Sequence, residues 1–419
     1  MELWRRCEGN PMTENPQEQD SYVGQQVRVI RARRGMTQQV LADRVGVSRG
    51  AIAKYENGER PIDSRTTLLA LARALGVTIG DLTGHPEQEK LDPVTAGFHM
   101  FVPEIETALW THGNITDERA PRNLDALTAA TREANRLRAD CEYVTLGPML
   151  APLLIDGYRL IRDLPDDARA WDVFGNIAYG VASALKARGY PALAWTAAAE
   201  ARRAAEHTGS PAAAAGSAFY RSQILLTRPG ALASALAEAE GTADQLAADV
   251  RTIGDVEVTG MLRLQASLVT AAMGGDPEPH LAEAADQATR LAEAAPSTSL
   301  ARNDSFRPPN ITLWRMSAAL ERREPGQALA LAPTLRPDDL PNKNRHAQYF
   351  VEIGRAHAMQ RNYRDSLYAL LRAEHTAPQH VRNMTHVREL VGHMMRTARR
   401  DLTTGELGRL AQRVGVVPT

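Results

Sequence analysis

The chain holds two cysteines among 419 residues, Cys7 and Cys141. Two are too few for a disulfide framework or a metal knuckle. Aromatic residues make up only 5%, whereas Ala fills about one position in six. A core built from such small side chains suits closely packed helices better than sheets. No run reaches the 18 or more apolar residues that cross a bilayer, and the start lacks the apolar core of a signal peptide. A cytoplasmic protein with no membrane partner is expected. Catalytic strings are also missing: there is no P-loop, no dinucleotide-binding glycine fingerprint and no H-E-x-x-H. His375, His380 and His386 are the nearest grouping of histidines, and they lack the helical spacing of metal ligands. An enzyme is therefore not expected, nor any cofactor or metal.

What is present is ordinary in bulk: 43% hydrophobic and 24% charged, as in a globular chain of two or three domains. Net charge is −1, but it is unevenly spread. Residues 21–85 carry ten Arg/Lys and five Asp/Glu, or +5, which leaves −6 for the remainder. A basic N-terminal unit on a mildly acidic body suits a nucleic-acid reader joined to something else. Residues 1–20 are polar, Pro-punctuated and aperiodic, and read as a disordered leader. Met12 offers a second start, which would make the first eleven residues an extension. Short capped helices follow over 21–82, the last of them a turn from Ile79 to Leu82. Residues 83–95 (TGHPEQEKLDPVT) read as a linker. From 96 to 419 helical segments alternate with breaks, among them Pro148, Pro165, Pro191, Gly209-Ser210-Pro211 and Pro325-Gly326. No convincing strand is found; Asp255 to Thr259 is too short and isolated.

The sharpest signal lies at 31–58, RARRGMTQQVLADRVGVSRGAIAKYENG. Thr37 and Ser48 are each placed to cap a helix, and Gly46-Val47 makes the turn between them. Ala42 is small where the two helices cross, and Leu41, Val45, Val47 and Ile52 fill the space beneath. The string Gly46-Val47-Ser48-Arg49-Gly50 also fits a hydrolase nucleophile elbow. That motif needs a strand before the serine, and here helices flank it on both sides. The segment resembles the lambda-repressor-like family that includes the xenobiotic-response-element regulators. It does so through Arg31, Thr37-Gln38, Leu41-Ala42, Gly46-Val47-Ser48, Ile52 and Glu56-Asn57-Gly58. The resemblance covers about residues 23–82 and implies a five-helix DNA-binding domain.

It also implies roles position by position. Gln38 would donate to a phosphate beside backbone N–H groups, with Thr37 as cap. Ser48, Arg49 and Gly50 would open the recognition helix, with Arg49 bidentate to guanine and Ala51 against a thymine methyl. Lys54 would reach a base or a phosphate, and Asn57 and Arg60 would contact phosphate. Arg31 would pair with Glu56, chiefly to support the fold.

The body carries an internal repeat. Residues 347–380 supply Phe350, Ile353-Gly354, His357, Ser366, Leu370, Ala373 and Pro378 at the offsets of the tetratricopeptide pattern. Trp171, Phe174 and Gly175 match its first half, but Pro191 then falls at a position the pattern reserves for a bulky mid-helix residue. The segments 178–211, 306–325 and 346–378 resemble the tetratricopeptide-like sensor half of large bacterial regulators of this class. The expected fold is thus all-α: a lambda-repressor-like domain followed by an α-solenoid of helical hairpins.

Such a solenoid encloses a groove able to hold a peptide or small molecule. Asn176, Asn303 and Asn310 are candidate amide contacts, with Tyr179, Tyr220, Arg221 and Trp314 supplying surface and charge. The expected function is a sequence-specific transcriptional regulator. It would act as a homodimer on a double-stranded operator in the bacterial nucleoid, with a peptide or small-molecule effector. The alternative is a DNA-tethered scaffold whose solenoid docks a partner protein.

Overall fold

The computed structural model describes residues 22–60, 62, 65–77, 82, 97–114, 120–228, 230–296, 300, 305–398 and 405–416. Among them the fold is all-α, apart from one isolated bridge between Thr252 and Ala295. The leader 1–20, the linker 83–95 and most of the turn from Ile79 to Leu82 lie outside the described residues.

Four short helices come first: α1 (Tyr22–Arg33), α2 (Gln38–Val45), α3 (Arg49–Glu56) and α4 (Arg65–Leu75). One face of each is apolar. Val23 and Val27, Leu41 and Ala42, Ile52 and Tyr55, and Leu71 and Leu75 meet in one core that Leu82 completes. We refer to this group as the head.

After α5 (Val102–Trp110), the described residues make seven helical hairpins. The first four are α6 (Leu124–Ala139) with α7 (Tyr143–Asp163), α8 (Ala168–Ala187) with α9 (Pro191–Thr208), α10 (Pro211–Leu225) with α11 (Leu232–Leu246), and α12 (Ile253–Ala272) with α13 (Glu278–Thr289). Then come α14 (Pro308–Glu321) with α15 (Pro325–Leu331) and α16 (Lys343–Met359) with α17 (Tyr363–Thr376). A short α18 (Pro378–Val381) leads to α19 (Thr385–Thr397) with α20 (Glu406–Arg413). The first helix of each hairpin packs on the first helix of the next, from α6 through α8, α10, α12, α14 and α16 to α19. That arrangement is a solenoid whose first helices form the inner wall.

The repeat pattern marks real close approaches. A Cβ at Gly354 would lie 3.0 Å from the Leu370 side chain, so α16 and α17 touch where the pattern places its glycine. Pro191 is the first residue of α9, where its missing N–H costs nothing. Pro148 differs from expectation. It sits with Pro152 inside α7, whose 21 residues run through both without a break. Pro148 forgoes only the bond to the Val144 carbonyl, and packing of Leu146, Leu150, Leu153 and Leu154 in the core holds the helix together. Among the described helices α7 alone is long and apolar enough to cross a membrane, but two thirds of its apolar stretch is buried here as the second helix of a hairpin.

The solenoid winds until its beginning meets its end. Arg188 donates to the Gln379 carbonyl (2.6 Å), and the Val144 N–H donates to the Gln379 side chain (2.9 Å). Asn383 donates to the Ala187 carbonyl (2.9 Å), and Lys343 pairs with Glu142 (3.1 Å). These four bonds join residues about 200 positions apart and close the inner wall around a lumen.

Helix α12 packs so closely on the loop before α14 that a Cβ at Gly260 would overlap the fully buried ring of Phe306. Gly260→Ala is expected to destabilise the chain by about 1–3 kcal/mol, the usual cost of overpacking a filled core. Urea unfolding checks this; an unchanged midpoint would contradict the packing described.

Candidate nucleic-acid interface and solenoid cavity

The head presents its second and third helices as a capped pair. Thr37 Oγ1 accepts from the Val40 N–H (3.2 Å) and Ser48 Oγ from the Ala51 N–H (3.2 Å), each satisfying a donor that a helix start leaves unpaired. Between them Gly46 has φ 77°, a left-handed conformation that suits glycine, and the Gly46 and Val47 N–H groups both donate to the Ala42 carbonyl. The Ser48 hydroxyl is thus a cap between two helices, not a nucleophile.

Beneath the pair lies the Arg31–Glu56 ion pair. Arg31 Nε and Nη2 donate to the two Glu56 carboxylate oxygens (2.5 and 2.9 Å), and Nη1 donates to the Met36 carbonyl (2.7 Å). Glu56 raises the Arg31 guanidinium above its ordinary range, against the opposing effect of burial. Gln38 Nε2 donates to the same carboxylate (2.9 Å). One acidic group therefore ties α1, α2 and α3 together. With all three guanidinium nitrogens engaged, Arg31 is a strut of the head rather than a reader of DNA. Gln38 spends one amide hydrogen on Glu56 and keeps the other.

The start of α3 faces outward. Ser48, Arg49, Gly50 and Lys54 are exposed, and Ala51 is half-buried. Asn57 and Arg60 follow on the same exposed stretch, where the Arg60 guanidinium stacks on the Tyr55 ring (5.5 Å). Gly50 leaves open space beside Arg49, with only the Ser48 hydroxyl within 4 Å of a built Cβ. An exposed helix start with a free-standing guanidinium can enter a major groove and meet guanine O6 and N7.

Inside the solenoid lies a cavity of about 450 Å³. Its wall comes from the inner helices in turn, with Arg138 on α6, Tyr179 and Ser183 on α8, Phe219 and Tyr220 on α10, Trp314 on α14, Arg345 on α16 and Glu389 on α19. Tyr179, Tyr220 and Trp314 were legible as candidates. Asn176 is not part of this wall. Its amide donates to the Asp172 carbonyl (3.0 Å), and it fills a crevice between α6, α7 and α8. Asn310 is fully buried, with its amide against Met261 Sδ (3.7 Å). Arg221 points away, stacking on Trp195 (4.5 Å) and pairing with Glu238 (2.8 Å). Its neighbour Tyr220 faces the lumen, and one residue along a helix turns about 100°. Asn303 lies outside the described residues.

Sequence reasoning missed that the head closes this cavity. Val23, Ile62 and Leu68 line the same space. The Thr66 hydroxyl donates to the Ala272 carbonyl, and Arg396 Nε donates to the Gly58 carbonyl (3.3 Å). Glu389 accepts from the Val23 N–H, and its burial pushes the carboxyl up to about 7 despite Arg396 and Arg388 nearby. His380, held between Tyr143 (3.2 Å) and Asn344 (3.1 Å), is pushed down to about 3 by burial and by Arg345, and is neutral. The signal for these residues is faint in sequence: charged side chains at three- and four-residue spacing, such as His386, Glu389, His393 and Arg396 on α19.

Comparison with known proteins follows the head. Residues 23–85 match the family described as a helix-turn-helix domain. Over 65 residues the chain is 42% identical to the propionyl-CoA carboxylase regulator of Cereibacter sphaeroides, which covers 16% of this chain and 14% of that protein's length. Over 83 residues it is 42% identical to an uncharacterized transcriptional regulator in the ATPase CF(0) region of Rhodospirillum rubrum, covering 19% of this chain and 76% of that protein. Two solved structures align over 82% of this chain: Bacillus thuringiensis PlcR in complex with the peptide PapR7 and DNA, at 11% identity and a TM-score of 0.31, and a PrgX mutant at 10% and 0.26. Those superpositions are too loose to carry an argument about the body.

Two outcomes follow from the geometry. Glu56→Ala strands Arg31 and Gln38 and is expected to cost about 2–4 kcal/mol in urea unfolding; a loss under about 0.5 kcal/mol would contradict the strut. Glu389 holds its proton to higher pH when folded than the ordinary carboxyl value of 4.5. The folded chain therefore binds a proton that the unfolded chain has released, and stability falls as pH rises between about 4.5 and 7, by roughly 1–3 kcal/mol. Glu389→Gln should flatten that part of the stability profile, measured by urea unfolding from pH 5 to 8.

Proposed function

The chain belongs to the helix-turn-helix transcriptional regulators, and from that premise we propose that it is a ligand-responsive regulator that binds its operator through α3. It acts on DNA and is not an enzyme. The proposed division is a DNA-binding head over 21–82, a linker over 83–95 and a sensing and dimerising body over 96–419. Arg49 reads guanine, Ala51 touches a thymine methyl, and Lys54, Asn57, Arg60 and the free hydrogen of Gln38 position the head on phosphates. As a homodimer it spans a pseudo-palindromic operator, with half-sites about one helical turn (roughly 10 bp) apart or a multiple of that.

One observation carries the sensing half of the proposal. Val23, Ile62 and Leu68 of the head line the same cavity as the inner helices of the solenoid. A molecule that fills the cavity touches both, so it shifts the balance between docked and released heads by its difference in affinity for the two. The buried Glu389, bonded to the Val23 N–H, sits at that joint.

Selection of operator sequences from random DNA, followed by mobility-shift titration, tests the DNA half. Arg49→Ala should reduce discrimination against a mismatched base by roughly 1–3 kcal/mol, whereas Lys54→Ala should weaken matched and mismatched sites alike. Undiminished sequence preference in Arg49→Ala would overturn the assignment of α3.

A further inference from the structure

The reading of the cavity as an effector site leaves the chemistry of its occupant open, and the charges in its wall narrow it. The carboxylates Glu321 and Glu352 are met by Arg355 (3.2 and 2.7 Å), and Glu352 also accepts from Ser317 (2.8 Å). On the opposite side of the ledger stand Arg138 and Arg345, neither of which has a carboxylate partner among the described residues. Arg138 reaches only the hydroxyls of Ser183 (3.3 Å) and Tyr220 (3.4 Å), both long bonds, and its Nε is buried with no partner. Arg345 donates from Nε to the adjacent Asn344 (3.0 Å), and no described group accepts from its two terminal nitrogens. Both guanidinium groups line the cavity.

Burial works against the charge on both guanidinium groups, though around Arg138 the effects of Tyr220, Tyr179, Tyr143 and Cys141 outweigh it and the guanidinium is raised from its ordinary range. Burial and the neighbouring Arg138 both lower the Arg345 guanidinium from its ordinary range, while Tyr220, Cys141 and Tyr143 only partly offset this. Neutral His380 adds no positive charge of its own. An apolar surface begins at the same point. The Arg138 guanidinium lies over the Tyr179 ring (5.6 Å), and rings continue edge to face through Tyr220 (4.7 Å), Phe219 (5.4 Å) and Trp314 (6.4 Å). Trp314, which also lines the cavity, has its Nε1 buried without a hydrogen-bond partner among the described residues.

We propose that Arg138 and Arg345 seat the anionic head of a small organic acid, whose apolar part lies along Tyr179, Tyr220, Phe219 and Trp314. The head is a carboxylate or a phosphate monoester, because guanidinium forks match either. A cavity of about 450 Å³ holds a small molecule, not a long peptide.

Thermal unfolding of the full chain tests the seat with 4-phenylbutyrate, phenyl phosphate and the neutral 4-phenylbutyramide, at one ionic strength. The anions should raise the melting temperature and the amide should not. Stabilisation by phenylbutyrate alone, or by phenyl phosphate alone, identifies which head the seat prefers. Arg138→Gln and Arg345→Gln should each weaken anion binding by about thirtyfold or more, while unfolding without ligand at the wild-type temperature or above. Arg345→Lys should retain part of the shift. Four results overturn the proposal: equal stabilisation by amide and anions, none by any of the three compounds, a full anion shift in the Gln variants, or a lower ligand-free melting temperature in them. The last would make the two arginines structural. Operator affinity is read separately by mobility shift, so an anion that binds without changing it contradicts the coupling and leaves the seat standing.

Discussion

The bond from Arg188 to the Gln379 carbonyl, with those of Asn383 and Gln379 beside it, joins the first two hairpins of the solenoid to the last two. Without that closure the inner helices would line an open groove, and the polar side chains they carry would face water. With it they surround a lumen, where burial presses each inward charge to find a partner or move toward its neutral form. Arg355 finds Glu321 and Glu352, Glu389 and His380 move toward their neutral forms, and Arg138 and Arg345 stay charged without a carboxylate.

The head depends on a comparable convergence at smaller scale. Arg31, Gln38 and the Glu56 carboxylate fix the angle between three helices, so the start of α3 can project while its other face stays in the core. The exposed side is polar and cationic, and the buried side holds Ile52 and Tyr55. Val23 on α1 and Leu68 on α4 of the same unit also line the lumen, so the head that presents α3 is in contact with the cavity.

Much of this was legible in residue order. Thr37, Gly46 and Ser48 announce two capped helices and their turn because capping and left-handed backbone depend on local chemistry. Gly354 and the large residues around it announce a hairpin for the same reason. Which face of each solenoid helix turns inward was not legible, since hairpins bury both faces and periodicity alone gives no phase. Tyr220 and Arg221 are adjacent, yet one lines the lumen and the other stacks on Trp195. Asn176 and Asn310 looked like groove contacts because amides suit peptides, but Asn176 donates to the Asp172 carbonyl of its own helix, and Asn310 is fully buried with its amide against Met261 Sδ. Arg138 left little trace: the buried stripe of its helix runs Leu127, Thr131, Ala134 and Leu137, and Arg138 lies half-buried beside it. Ring closure left none, because it joins residues about 200 positions apart.

Hydrogen exchange on the full chain, with and without its selected operator, probes the central claim most directly. The account predicts slowed exchange over α3 on binding, together with a change over α19, whose Glu389 and Arg396 hold the head. Slowing confined to the hairpins, with α3 unaltered, would contradict it.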